Sequence, residues 1–88
     1  MQEVVISQRR LNRWNLRDAR RAAHRKFDKL WKSPKQGGMG LMTRTEAYRQ
    51  LAKVFKKSRE DAHISKLTKR ECLVLYDKAS EWERIWKQ

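Results

Sequence analysis

The chain has 88 residues, and its 23 Lys or Arg against 10 Asp or Glu give a formal net charge of +13. This length excludes a multidomain protein, and an apolar fraction of 39% leaves few side chains for a core. So positive a chain favours a polyanionic partner: nucleic acid first, then an anionic membrane surface, then an acidic protein face. A basic surface that serves only solubility is the alternative.

The charge is concentrated in the first third of the chain. Residues 1–35 hold eleven Lys or Arg against three acidic residues, a net of +8, whereas residues 36–62 and 63–88 carry +3 and +2. Cys72 is the only cysteine, so no intrachain disulfide can form and a reducing bacterial cytoplasm is expected. Signal-peptide and membrane-span patterns are absent from the sequence.

Residues 1–14 are predicted to be an extended, basic N-terminal arm. The β-branched run Val4–Ile6 has no second strand to pair with, and Arg9, Arg10, Arg13 and Trp14 follow it. Such an arm is typical of segments that order on nucleic acid, with Trp14 stacking on a base. The alternative is a frayed terminus with Trp14 folded onto the core.

Residues 15–33 are predicted to be one amphipathic helix. Asn15 is a good N-cap, Asp18 suits the third helical position, and Pro34 ends the helix. The apolar residues recur every three or four positions along one face: Leu16, Ala19, Ala23, Phe27, Leu30 and Trp31. The basic residues fall mostly on the other face: Arg17, Arg21, His24, Arg25, Lys29 and Lys32.

Two further helices are predicted after a Gly-rich, flexible loop at residues 34–41. Capping boxes place their starts at Thr43 and Thr68, with Glu46 and Glu71 three residues on. Between them, residues 58–61 predict one short extra helical turn. We therefore expect an all-α fold: a small three-helix bundle over residues 15–88, preceded by the arm at residues 1–14.

Several short segments of this sequence together resemble a known protein family. They run from Arg20–His24 through Phe27-Asp28 and Leu30–Ser33 to Met42–Tyr48, and they continue as shorter matches through Leu51-Ala52, Ser58–Asp61 and His63-Ile64. The pattern is similar to the C-terminal helical half of small phage and bacterial zinc-finger-containing proteins of unknown function, and it covers roughly residues 12–76. The resemblance implies the helical fold and a phage or prophage setting. Residues 1–14 contain no Cys or His, so it implies no zinc ligands here.

No catalytic, cofactor or metal site is expected. A zinc site needs about four converging ligands, whereas Cys72, His24 and His63 lie on separate predicted elements. The acidic residues mostly occupy cap positions, and no thiol signature surrounds Cys72.

The sequence therefore predicts a non-enzymatic protein that binds DNA or RNA through phosphate contacts. The predicted contact residues are Arg9, Arg10, Arg13, Trp14, Arg17, Arg21, His24, Arg25, Lys29 and Lys32. Such binding is weakly sequence-specific and strongly salt-dependent. The alternative is a phage-encoded inhibitor or adaptor whose basic face binds a host protein or ribonucleoprotein complex, such as defence or transcription machinery.

Overall fold

The structure is a computed structural model, and it describes residues 6–58 and 60–86. Its regular elements in chain order are α1 (Gln8–Arg13), α2 (Leu16–Trp31), a 3-10 turn (Pro34–Gln36), α3 (Arg44–Phe55), a second 3-10 turn (Ile64–Lys66) and α4 (Lys69–Trp86). No strand occurs within the described residues. The all-α fold class is therefore confirmed, with the three predicted helices present as α2, α3 and α4.

The three predicted helix starts are confirmed by their capping hydrogen bonds. The side chain of Asn15 accepts the amide proton of the third helical residue of α2 at 2.8 Å. The Thr43 hydroxyl accepts the Glu46 amide proton at 3.1 Å. The capping box at Thr68 is complete, since its hydroxyl accepts the Glu71 amide proton at 3.2 Å and its own amide donates to the Glu71 carboxylate at 2.9 Å. Local sequence thus fixes where each long helix begins.

The prediction of an extended arm is wrong over residues 8–13, which form the helix α1. The Ser7 hydroxyl caps this helix by accepting the Arg10 amide proton at 3.2 Å. Ile6 and Leu11 are buried in the common core, which gives the short helix the tertiary support that six residues need. Val4 and Val5 lie outside the described residues.

Arg10 ties α1 to α4. Its guanidinium donates two hydrogen bonds to the carboxylate of Asp77, at 2.6 and 2.7 Å. These bonds raise the pKa of Arg10 further above its usual value, so the group stays cationic throughout the range in which proteins fold. A bidentate arginine–carboxylate pair of this kind fixes the relative orientation of the two side chains as well as their distance.

The core is formed chiefly where α2 packs on α4. Ala19 and Ala23 are fully buried and admit α4 at close range, and Phe27 lies at the centre with no exposed surface. Phe27 also contacts Tyr48 of α3 edge to face, with the ring centroids 5.1 Å apart. The buried stripe of α2 therefore determines which side of that helix faces solvent.

Three large apolar residues lie at the surface. Leu16, at the first position of α2, is 42% exposed, and Ile85 and Trp86, at the end of α4, are 58% and 38% exposed. These positions belong to terminal turns that extend past the packed region. By contrast, Trp82 is buried, and Trp31, which the sequence placed on the apolar face of its helix, is partly buried against the core.

The Gly-rich loop is folded back onto the C-terminal end of α2, contrary to the flexible loop expected. Amides of residues 38–42 donate to carbonyl oxygens at the end of α2 and just after it, including Met39 to Lys29 at 2.7 Å and Leu41 to Leu30 at 2.8 Å. Gly38 approaches the carbonyl of Lys32 so closely that any Cβ there would collide with backbone. Glycine therefore permits the loop to serve as the C-terminal cap of α2.

The short extra turn predicted at residues 58–61 is displaced along the chain. Residues 60–61 form a hydrogen-bonded turn closed by the Asp61 amide on the Ser58 carbonyl at 3.1 Å, and Arg59 lies outside the described residues. The 3-10 helical turn comes later, at Ile64–Lys66, where buried Ile64 anchors it. Among the described residues, no helix is long and apolar enough to cross a membrane.

We predict that Arg10→Ala and Arg10→Lys both destabilise the fold, by about 1 kcal/mol for the alanine variant, because each loses the bidentate pair with Asp77. The free energy of unfolding in urea measures the loss. A double-mutant cycle with Asp77→Ala isolates the pair, and a coupling energy near zero would contradict its role in holding α1.

Candidate functional site

An open groove of about 910 Å³ runs along the outward face of α2. Six of the ten predicted contact residues line it: Arg17, Arg21, His24, Arg25, Lys29 and Lys32. Residues 36–37 of the Gly-rich loop and residues 64–65 of the second 3-10 turn form its other walls. The structure thus brings most of the predicted basic face into one concave surface, which we call the α2 groove.

Four cations of the α2 groove have no carboxylate partner in the part of the chain that the structure describes. We call Arg17, Arg21, Arg25 and Lys29 the cation row, since each follows the last by four residues. All four are exposed, and within residues 6–58 and 60–86 none has a side-chain hydrogen bond or a carboxylate within ion-pair distance. Successive members rise about 6 Å along the helix, so the row extends for about 18 Å.

Beside the cation row lies a second row, Arg20, His24, Asp28 and Lys32, which is organised by a buried carboxylate. Asp28 is only 7% exposed. One of its oxygens accepts the Trp31 indole N–H at 3.1 Å, and the other lies 3.0 Å from His24 Nδ1 and 3.9 Å from Lys32 Nζ. Hydrogen bonds and nearby cations compensate for the burial of this charge. His24 and Lys32 are therefore engaged with Asp28, unlike the members of the cation row.

Arg20 lines the α2 groove although the sequence did not single it out. Its guanidinium donates to the Leu67 carbonyl at 3.5 Å, while its Nε is buried and has no partner in the described part of the chain. Arg20 occupies the border between the apolar stripe and the basic face of α2, so periodicity assigned it to neither. Its position four residues before His24 and eight before Asp28 was the available signal.

The predicted contact residues before α2 are not part of the groove. Arg9 and Arg13 are exposed on α1, and Arg10 is engaged with Asp77. Trp14 is partly buried against the core, the placement that the sequence offered as the alternative to base stacking. These residues therefore lie apart from the basic face of α2, with which they were expected to contact nucleic acid.

A cluster of rings and cations lies near the C-terminal end of α2. The Arg44 guanidinium stacks between Trp31 and Tyr48, at 5.4 and 5.1 Å from the ring centroids, and Lys32 Nζ lies 5.9 Å from the Trp31 ring. These cation–π contacts add attraction to the burial of the rings. Since Trp31 is also bonded to Asp28, the cluster connects α3 to the end of the α2 groove.

The fold and the groove define a small all-α domain with one concentrated cationic surface. The chain belongs to the DUF3268 family, described as a zinc-finger-containing domain, and the family model matches residues 2–81. The match extends past both ends of the resemblance expected over residues 12–76, so the relationship is not limited to a C-terminal helical half. No curated protein and no solved structure was found to match the chain.

The residues of this chain do not fit the zinc site that the family description implies. A zinc finger uses four Cys or His ligands, and these 88 residues include one Cys and two His. Among the described residues, no group of three or more His, Cys, Asp or Glu could hold a metal ion. His24 is engaged with Asp28, and His63 lies 6.4 Å from the Tyr48 ring.

Cys72 is also poorly suited to bind a metal. It is fully buried in the core on α4, and this burial raises the pKa of its thiol, with the nearby Arg20 guanidinium acting in the opposite direction. Metal ligation requires the thiolate, which a raised pKa disfavours. Cys72 is therefore a core residue of the α2–α4 contact.

We predict that Asp28→Ala destabilises the fold by about 1–2 kcal/mol, because it leaves the partly buried Trp31 N–H without its acceptor and removes the carboxylate that contacts His24 and Lys32. Asp28→Asn, which keeps an acceptor for Trp31, costs less. Urea unfolding followed by circular dichroism measures both. Glu60→Ala removes one carboxylate from an exposed turn and serves as control. Equal stability of Asp28→Ala and this control would refute the role of Asp28.

Proposed function

We propose that this domain binds the phosphate backbone of nucleic acid in the α2 groove, without catalysing a reaction. The observation that carries the proposal is the cation row. Four positive side chains without carboxylate partners in the described chain lie on one face of one helix. Bringing such charges together costs free energy through mutual repulsion, and a polyanion removes that cost.

The geometry of the cation row supports phosphate as the ligand. Its rise of about 6 Å per member is close to the separation of neighbouring phosphates along one polynucleotide strand. Three of the four members are arginines, whose planar guanidinium groups match phosphate oxygens in pairs. A chain of phosphates therefore meets each cation in turn without a change in the helix.

The remaining groups of the groove supply positioning contacts. The Ser65 hydroxyl and the Gln36 side-chain amide line the groove and are suited to hydrogen bonds with phosphate or sugar oxygens. Such contacts carry no sequence information, so we propose weakly sequence-specific binding. Membership of a zinc-finger-containing family is compatible with this function, since zinc fingers include nucleic-acid-binding modules.

Binding in the α2 groove requires no metal in this proposal. The phosphate contacts come from arginine and lysine side chains held by α2, and α2 is fixed by its packing on α4. We accordingly propose that residues 6–86 act without the zinc ligands of the family. The N-terminal arginines Arg9 and Arg13, which are exposed on α1, add charge to the approach of nucleic acid.

We predict that the double variant Arg21→Gln with Arg25→Gln lowers affinity for a labelled oligonucleotide by about ten-fold at moderate salt, because two phosphate contacts are lost. Fluorescence anisotropy measures the dissociation constants. The matched control, Lys53→Gln with Arg84→Gln, removes the same charge from exposed positions on α3 and α4. It is expected to change affinity by no more than about two-fold through the general field.

Equal losses in the two double variants would show that net charge alone drives binding and would overturn the assignment to the α2 groove. No binding by the natural sequence would overturn the function itself. In that case, a stoichiometric protein captured from nuclease-treated lysate, and lost with Arg21→Gln and Arg25→Gln, would identify an acidic protein as the ligand of the groove. Circular dichroism spectra confirm that the variants are folded.

A further inference from the structure

The α2 groove offers a single line of available charge. The cation row is one inclined ridge of residues spaced by four, and such ridges run at about 26° to the helix axis. One ridge of four cations about 6 Å apart can follow the phosphates of one strand. A duplex presents two backbones, and binding both requires a second set of cations on the far side of a groove of DNA.

The neighbouring row does not provide that second set. At its centre stands the Asp28 carboxylate, which holds His24 at 3.0 Å and Lys32 at 3.9 Å. Arg20, at its other end, is directed by its bond to the Leu67 carbonyl. Neighbouring positions of this row are about 6 Å apart along the helix, so a phosphate beside His24 or Lys32 would lie close to the negative Asp28 carboxylate. The second row therefore discourages a second backbone beside the first.

The walls of the groove also disfavour insertion into a duplex. A recognition helix reads the major groove, which is about 12 Å wide, by projecting its outward face into it. Here residues 36–37 and residues 64–65 line the same concavity as the outward face of α2, so that face does not stand free of neighbouring chain. A flexible strand can enter such a concavity, whereas the stiff, broad duplex must bridge its rims.

Apolar surface lies within reach of the bases of such a strand. Leu16 lines the groove next to the start of the cation row and is 42% exposed. Exposed apolar surface beside a phosphate-binding row suits unstacked bases, which bury their faces on protein. In a duplex the faces of the bases are stacked on one another, so they do not contact Leu16.

From these features we infer that the α2 groove binds one single strand of nucleic acid in preference to a duplex. The inference rests on the proposed function and narrows its ligand. The strand lies with its phosphates along Arg17, Arg21, Arg25 and Lys29, and its bases face Leu16 and the wall at residues 64–65. DNA and RNA strands carry the same phosphate groups, and titration with each kind of strand distinguishes them.

The test compares the full chain on labelled oligonucleotides of about 12 nucleotides, a length within the usual range of single-strand sites. Single-stranded DNA, single-stranded RNA and a DNA duplex of the same sequence are titrated by anisotropy at equal salt. At least one single strand is expected to bind about ten-fold more tightly than the duplex. Equal or tighter binding to the duplex would overturn this inference but leave phosphate binding intact. Absence of binding to all three would overturn the proposed function as well.

A second variant pair tests the contact with the bases without changing charge. Leu16→Ala is expected to weaken single-strand binding by about three-fold and to leave duplex binding unchanged, because it removes apolar surface that only unstacked bases reach. Ile85→Ala shortens a side chain that is 58% exposed on α4, outside the groove, and is the matched control. Equal affinities of these two variants for the single strand would contradict the placement of the bases.

Discussion

The packing of α2 on α4 is the constraint on which the whole surface depends. Ala19, Ala23 and Phe27 are fully buried at this contact, so the rotation of α2 about its own axis is fixed. Because side chains four residues apart share a ridge, fixing that rotation also fixes the direction of the cation row. A helix with the same sequence but a looser core would spread its arginines over several directions. The direction of the cation row is therefore a consequence of the core.

Supporting contacts hold the C-terminal end of α2. At the end of α2, the Gly-rich loop caps the helix carbonyls and supplies one wall of the groove. Nearby, Asp28 joins the indole of Trp31 to His24 and Lys32, and Arg44 stacks between Trp31 and Tyr48. These contacts fix the surroundings of the cation row while leaving its own members without partners in the described chain. The charge available for a ligand is therefore preorganised, which lowers the cost of ordering it on binding.

Much of this was predictable from sequence, because it arises from local signals. Asn15, Thr43 and Thr68 mark the helix starts through hydrogen bonds that span three residues. The periodic apolar stripe separated the buried face of α2 from its basic face, and the groove gathers the residues of that basic face.

What the sequence missed depends on contacts distant along the chain. Residues 8–13 are too few to signal a helix alone, and α1 is supported by buried Leu11 and by the bond from Arg10 to Asp77, 67 residues away. The walls of the groove likewise arise from residues 36–37 and 64–65, which only the folded chain brings beside α2. Arg20 was missed because it lies at the border between the apolar stripe and the basic face of α2. The zinc ligands implied by the family have no counterpart set in this chain.

The salt dependence of binding tests the central claim, that the cation row neutralises phosphates, most directly. Each phosphate contact on a single strand contributes about −0.7 to the slope of the logarithm of the association constant against the logarithm of salt concentration. The four members of the cation row thus predict a slope of about −3 for the natural sequence. Removing Arg21 and Arg25 is expected to bring it to about −1.5. A slope near zero, or one unchanged by that double substitution, would contradict the account.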